Sequence, residues 1–526
     1  MQPRTLVVLC ALVGSHLFAQ NFALDTSFGA DGVAYQPGPA PYKGGAIFAM
    51  ETLPDGGFLS LHMAGVDAIK VMRCSPNGEP DGSFANNGHF IFAPPSVTLI
   101  PSGFARRDDG KIIITATGII QGTNDPKIFL CQLLPNGEPD PSFGVNGVMY
   151  HHVPVYQTLR DVVLQPDGKI LVAGGSSGSM FAGRFLLNGA LDTSFGINGI
   201  GTFNPPGISA SANSIALGPD GSIFLGGHKT IGADATAWII AKLDPNGVLD
   251  PSFGNDGIFF MDHEPDVFAM SNRSECIWDL LVLDDGSVIA GGHVAPSDSW
   301  SERMAVMKLD PSGTPVAEFG ENGRILAGTD PEDRYFGKIL IMDPTGLFLM
   351  VGSVLRPNVP IQVALLAFDG IGNILDQNGS NSPFRFQPAV PMALTPCGTL
   401  DHQGRLIVAL GHWNYPQGRS SFVAFDLDLN VGAPGSTSQA IGMAVWPNPS
   451  SGQVVISYAL SSGSEVFIDL LDTRGRMVDT QLAPVRRSAG SHVENLSLDP
   501  RLSNGPYLLR LRNNSGSWSR PIVIQR

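Results

Sequence analysis

Charge is scarce in this 526-residue sequence, with Asp, Glu, Lys and Arg together making up 15% of it. A long exposed helix or coiled coil needs far more charge and fewer breakers, so those classes are excluded. Cysteine is almost missing: the five residues Cys10, Cys74, Cys131, Cys276 and Cys397 fall at spacings that form no CxxC or other zinc pattern. After the first 20 residues no apolar run approaches the ~18 that a membrane-crossing helix needs. No amphipathic helical stretch of 12 or more residues is present. The sequence also has no HExxH or Walker loop, the signatures of common zinc and phosphate chemistries. Basic charge is in deficit, with a formal net charge of −15, which argues against nucleic acid as a partner.

Turn formers are abundant instead. Glycine (63) and proline (41) make up about a fifth of the chain, against roughly 12% in ordinary proteins. The composition is nevertheless 43% hydrophobic with a mean hydropathy of +0.10, too apolar for a disordered chain. A turn-rich, strand-rich protein of more than one domain is the expectation.

The two ends differ from the middle. Residues 1–19 have the form of a secretory signal peptide: Arg4, then an apolar core from Leu6 to Val13, then Ala19 at the cleavage position. The segment Val431 to Ser438 has the composition of a linker, which places a boundary at residues 431–440. Residues 441–526 hold nine Arg, no Lys and six acidic residues, about +3, whereas the first 440 sum to −18. That charge break marks a separate C-terminal domain.

Between residues 20 and 430 the sequence repeats. Leu24-Asp25-Thr26-Ser27-Phe28-Gly29 recurs with its phenylalanine at 84, 143, 195, 253 and, in a worn copy, 319, at spacings of 56, 59, 52, 58 and 66. Asp-Gly pairs at 55, 109, 167, 220 and 285, completed by Thr345-Gly346 and Gln403-Gly404, give a count of seven. A third anchor is Pro-Asn-Gly, as at 76–78, 135–137 and 245–247. Each such pair signals a tight turn, because glycine accepts positive φ and Asn or Asp tolerates it. Four short strands per unit is the content of a propeller blade. The sequence therefore predicts an all-β protein: a seven-bladed β-propeller followed by a small C-terminal β-sandwich. Partial repeats at residues 24–37 and 402–430 predict a ring closed by the N-terminal strand, since an open array would leave two bare edges. The phenylalanines are expected to pack between blades, with the neighbouring Asp and Ser capping turns. The four later cysteines read as buried thiols, with a Cys74–Cys131 bridge as the alternative.

The LDxSFGxxG…PDGKIxVAGG…LxPNGxLD cycle, clearest from Leu164 to Gly257, resembles the bacterial delta-60 repeat, a family of β-propellers without a common activity. The tail resembles the type A sorting domain of the type IX secretion system. Trp446-Pro447-Asn448-Pro449 matches its PNP entry motif, Val466 to Asp472 with Gly475-Arg476 its strand-turn segment, and Gly505-Pro506-Tyr507 its GxY strand. Pro506 and the ending Ile524-Gln525-Arg526 depart from the family pattern. The resemblance implies export across the outer membrane, contact with the type IX machinery through residues 441–526, a Bacteroidota-like source, and surface anchoring or release.

Candidate sites are few. His228 and His293 follow Gly-Gly pairs at matching places in neighbouring repeats, and His412 lies one residue later in the last. They are read either as metal ligands at a shared rim or as exposed strand-end side chains. The longest repeat carries Asp262, Glu264 and Asp266 in one insertion and Trp300 in another, and the next repeat carries Tyr335. Carboxylates beside aromatic residues on long loops suit a cation or a sugar. No cofactor is expected; the alternative to a purely structural reading of Asp250 to Gly257 is a loop that binds calcium. The sequence supports an exported binding or scaffold module for an extracellular macromolecule or glycan. The alternative is an extracellular hydrolase or lyase with its site at the axial mouth.

Overall fold

Antiparallel strands joined by the repeated turns build the larger part of the molecule, as seen in a computed structural model. It describes residues 22–37, 44–65, 67–123, 126–152, 157–203, 209–231, 235–262, 274–295, 301–328, 330–343, 346–375, 382–388, 396–412, 419–427, 444–446, 450, 452–460, 463–471, 477–502, 505–513 and 516–524. The chain divides into two compact units, one of which is Phe22–Leu427 and the other of which holds Asp428–Arg526. The signal-peptide and linker expectations lie outside the described residues.

In the first unit seven antiparallel sheets follow one another, one for each repeat. The third is representative: Gln157–Leu164, Ile170–Ser176, Ser179–Phe185 and Ile200–Phe203, each strand paired with the next. The middle strands are buried on both faces, as a sheet packed between two others must be. The last sheet joins both ends of the chain. Cys397–Leu400, Leu406–Gly411 and Arg419–Leu427 are completed by Phe22–Leu24 and Val33–Pro37, which both pair with Arg419–Leu427. Clusters of buried side chains fill every junction between neighbouring sheets. At the closing junction Phe422, Ala424 and Cys397 of the last sheet pack on Phe58, Met72 and Cys74 of the first. The sheets thus form a closed ring, the propeller that the repeats predict.

The repeated residues now have roles. Phe28, Phe84, Phe143, Phe195 and Phe253 are fully buried. Each lies against the Pro-Asn-Gly, Asn-Gly or, for Phe253, Pro-Ser-Gly turn of the following sheet. A Cβ on Gly247 (φ +83°) would stand 2.6 Å from the Phe195 ring, so glycine there satisfies both the turn and the ring. The aspartate two residues before each serine accepts from that serine's backbone N–H and hydroxyl, as in Ser142 to Asp140 at 2.9 and 2.7 Å. Asp250 does the same for Ser252 and pairs with Lys242 at 2.9 Å, so its carboxylate is engaged within the protein rather than open to calcium. All four later cysteines are free, buried thiols, and no Cys74–Cys131 bridge forms.

The second unit has a three-stranded sheet (Ala444–Trp446, Gln453–Leu460, Gly490–Ser497) and a four-stranded sheet (Met477–Arg487, Ser464–Leu471, Gly505–Asn513, Gly516–Ile524). Val454, Ile456, Tyr458 and Leu460 of one meet Val466, Ile468, Leu470, Leu509 and Leu511 of the other in one core. This period-2 alternation is that of a β-sandwich.

Candidate functional site

The antiparallel order sorts the connections onto two ends of the ring. Every Asp-Gly turn, Pro-Asn-Gly turn and SFG segment joins strands at one end. The turns between second and third strands, and the links from one sheet to the next, lie at the other. The first end is repetitive and bonded to itself. The second end carries the insertions, and it is where His228, His293, His412 and Asp262 fall.

A backbone device shapes this loop end. The first strand of six sheets has a register shift, for example between Leu159 and Asp161, Ala212 and Ser214, and Ile277 and Asp279. Opposite each of these three lies a glycine of the Gly-Gly pair. A Cβ on Gly174, Gly227 or Gly292 would come within 2.0, 1.9 and 1.9 Å of the carbonyl oxygens of Thr158, Ser211 and Cys276. The pairs therefore make room for bulged first strands. The bulge adds one residue to the strand, namely Arg160, Asn213 and Trp278 in these sheets. It also turns Asp161 and Asp279 inward. Asp161 accepts from Val162 N at 2.8 Å and from Ile215 N of the next sheet at 3.0 Å. Asp279 accepts from Leu280 N and, across a junction, from Leu340 N at 2.9 Å. Burial raises Asp161 to about 6 and Asp279 to about 7, although these hydrogen bonds oppose the rise.

The histidines are not exposed strand-end side chains. His293 is 2% and His412 1% exposed, and His228 is half-buried. The indole N–H of Trp278 donates to His293 Nδ1 at 3.1 Å. Tryptophan only donates, so Nδ1 is the unprotonated nitrogen, and Nε2 faces Ser274 Oγ at 3.4 Å. Burial lowers His293 to about 3. Cys276 Sγ lies between the sheets, 3.5 Å from His228 Nδ1 and 2.8 Å from Asn213 Nδ2, and burial pushes its thiol up to about 12. The protein thus brings His228 and His293 to one neighbourhood around Cys276, but their nitrogens already face protein partners. Among the described residues no group of three or more metal-ligating side chains occurs.

The insertion residues divide. Asp262 ends the strand Ile258–Met261, half-exposed, near the Lys229 ammonium, which itself lies 3.3 Å from the Phe260 ring centroid. Glu264, Asp266 and Trp300 lie outside the described residues. Tyr335 corrects the expectation of a loop aromatic: its ring is fully buried in a junction core. Its hydroxyl meets Arg385 and Asp333, and Asp333 is held by Arg356 at 2.7 Å. The apolar alternation of Arg334–Met342 draws it inside.

A cavity that composition did not reveal opens between the third and fourth sheets at the loop end. It holds about 300 Å³ and is lined by Thr158, Arg160, Ser176, Ser211, His228 and Thr230, with the glycines and serines of the Ser176–Gly178 turn. Arg160, the bulge residue, is exposed there.

In the sandwich, Tyr507 is buried in the core, and Gly505 opens its strand at φ +145°. Pro447, Asn448, Pro449 and Gly475 lie outside the described residues.

Comparison with known proteins accords with this architecture. Residues 444–525 match the family described as secretion system C-terminal sorting domain. Residues 107–143, 165–195 and 218–253 match the β-propeller domain of unknown function DUF5122. The chain is therefore a β-propeller protein with a type IX secretion tail, which sends it to the cell surface or the exterior. No curated protein matches it. Similar solved structures include apo prolyl oligopeptidase B from Galerina marginata, at 12% identity and a TM-score of 0.40, over 79% of this chain and 55% of that one. A protein of unknown function from Dyadobacter fermentans matches at 10% and 0.31, over 76% and 100%. PorZ, a surface component of the type IX secretion system of Porphyromonas gingivalis, matches at 14% and 0.17, over 96% and 87%. The chain spans about half the length of the oligopeptidase, and likeness of this degree assigns it no activity.

Proposed function

We propose that the propeller is an exported binding module that engages an extracellular macromolecule or glycan with its loop end. One observation carries this reading. The repeated residues bond to one another at one end of the ring, while the cavity and the strand ends from which the insertions leave lie at the other. Diverse loops on a rigid ring are the usual means of recognition. The engagement of Cys276 and His293 with protein partners favours binding over hydrolase or lyase chemistry, because a nucleophile or base needs a free lone pair. An N-terminal signal peptide supplies passage to the periplasm, and the tail is then removed, leaving the propeller anchored or released.

Glycan and matrix-protein arrays probed with the purified protein test this. A specific ligand weakened by Trp300→Ala or Asp266→Ala is the expected result, and silence across both arrays would refute the binding role.

A further inference from the structure

From the cavity between the third and fourth sheets we infer a binding site for a sugar bearing a single oxyanion, a carboxylate, sulfate or phosphate; this rests on the binding-module reading above. Three observations point to such a ligand. Arg160 lines the cavity and is exposed, with no hydrogen bond or ion pair among the described residues. An unpaired guanidinium in a concave site presents a planar fork of donors that matches an oxyanion. Ser176 lines the same cavity at 3% exposure, and its Oγ has no hydrogen-bond partner among the described residues. A buried hydroxyl left unpaired is costly unless a ligand or water completes it. Finally, the lining is hydroxyl-rich and holds no carboxylate among the described residues: Thr158, Ser211 and Thr230 surround Arg160 and His228. His228 turns Nδ1 to Cys276 and has no protein partner at Nε2 among the described residues.

The shape and the wider field narrow the class. About 300 Å³ accommodates one or two sugar rings rather than a polymer segment. Hydroxyls and a histidine match the alternating donors and acceptors of a polyol. The first 440 residues carry a net charge of −18. That field repels a polyanion over roughly the ~8 Å Debye length at physiological salt. A lone charge docking against Arg160 avoids most of this repulsion.

The test is calorimetric titration of the full chain with glucuronate, N-acetylglucosamine 6-sulfate and glucose 6-phosphate, each beside its neutral parent sugar. At least one anionic sugar should bind at least about tenfold more tightly than its parent, and which one identifies the oxyanion. Arg160→Gln should weaken that sugar about ten- to a hundredfold while leaving the melting temperature unchanged, since the side chain is exposed. Ser176→Ala should weaken it less, with no change in the neutral parent. Equal binding of anionic and neutral sugars, or indifference to Arg160→Gln, would overturn the inference. So would a panel that does not bind at all. An array ligand that survives Arg160→Gln would do the same while leaving the binding-module reading intact.

Discussion

Replacing Arg405 with methionine should unlatch the ring at the place where its two ends meet. Arg405 is 5% exposed and sits between three parts of the chain. Its Nη1 pairs with Asp25 at 2.6 Å, its Nε with Asp401 at 2.7 Å, and its Nη2 donates to the Pro76 carbonyl at 3.0 Å. The first contact ties the N-terminal segment to the last sheet, and the third ties that sheet to the first. Removing the guanidinium leaves the buried carboxylates of Asp25 and Asp401 without their cation, which costs about 3–5 kcal/mol. Methionine fills much of the volume, so the loss is chiefly electrostatic. The cost falls on closure and not on the middle sheets. Hydrogen exchange read by mass spectrometry should therefore show Phe22–Leu24 and Arg419–Leu427 exchanging roughly a hundredfold faster or more, as about 3 kcal/mol of local opening requires. The sheets of residues 157–261 should change little. Adding Asp25→Asn and Asp401→Asn should recover part of the protection. Unchanged exchange in the terminal strands, or equal acceleration in all seven sheets, would refute the clasp.

Three further outcomes follow from the same contacts. Asp161 and Asp279 have folded values of about 6 and 7, above the unfolded carboxylate, so the native state holds their protons more tightly. Their contribution to stability should fall as pH rises from about 4 to 7, whereas His293, held at about 3 by burial, contributes in the opposite sense below the unfolded histidine value of ~6.5. Asp25 and Asp250, held low by serine and Arg or Lys partners against the pull of burial, lose their contribution as pH falls below about 4. In urea titrations the stability of the wild type relative to Asp279→Asn should therefore decline from pH 4 to pH 7, and a difference that does not change with pH would contradict the assignment. Gly292→Ala should cost at least about 3 kcal/mol, because its Cβ would lie 1.9 Å from the Cys276 carbonyl oxygen. Gly404→Ala, where a Cβ meets nothing within 4 Å but φ is +77°, should cost only about 1–2 kcal/mol; urea titrations with equal midpoints for the two would defeat the comparison. Deleting residues 441–526 should leave the propeller in the periplasm, and cell fractionation finding it outside would remove the sorting role from the tail.

Much of the fold was legible because turn chemistry is local. An Asp-Gly or Asn-Gly pair states its backbone conformation wherever it stands, so counting the pairs counted the sheets. The SFG phenylalanines were placed correctly between blades, since a fully apolar ring at a fixed offset has nowhere else to go. The candidate site was far less legible. Gly174-Gly175 and its counterparts were visible, but their purpose depends on a carbonyl from another strand. His293 looked like a ligand or a surface residue until Trp278 and Ser274 were seen beside it. Tyr335 looked like a loop aromatic because Asp330 to Arg334 precede it, yet a buried strand takes the ring inside.

By itself the sequence determined the repeat number, the turn positions, the alternating sandwich core and the export tail, all of which rest on interactions between near neighbours in the chain. Only the tertiary structure decided which end of the ring collects the repeated turns and which collects the insertions. It also decided that Arg405 latches the ends together, and that Arg160, Ser176 and His228, on three strands of two sheets, share one cavity. Those pairings depend on bulges and on contacts between residues far apart in sequence, which no local pattern encodes.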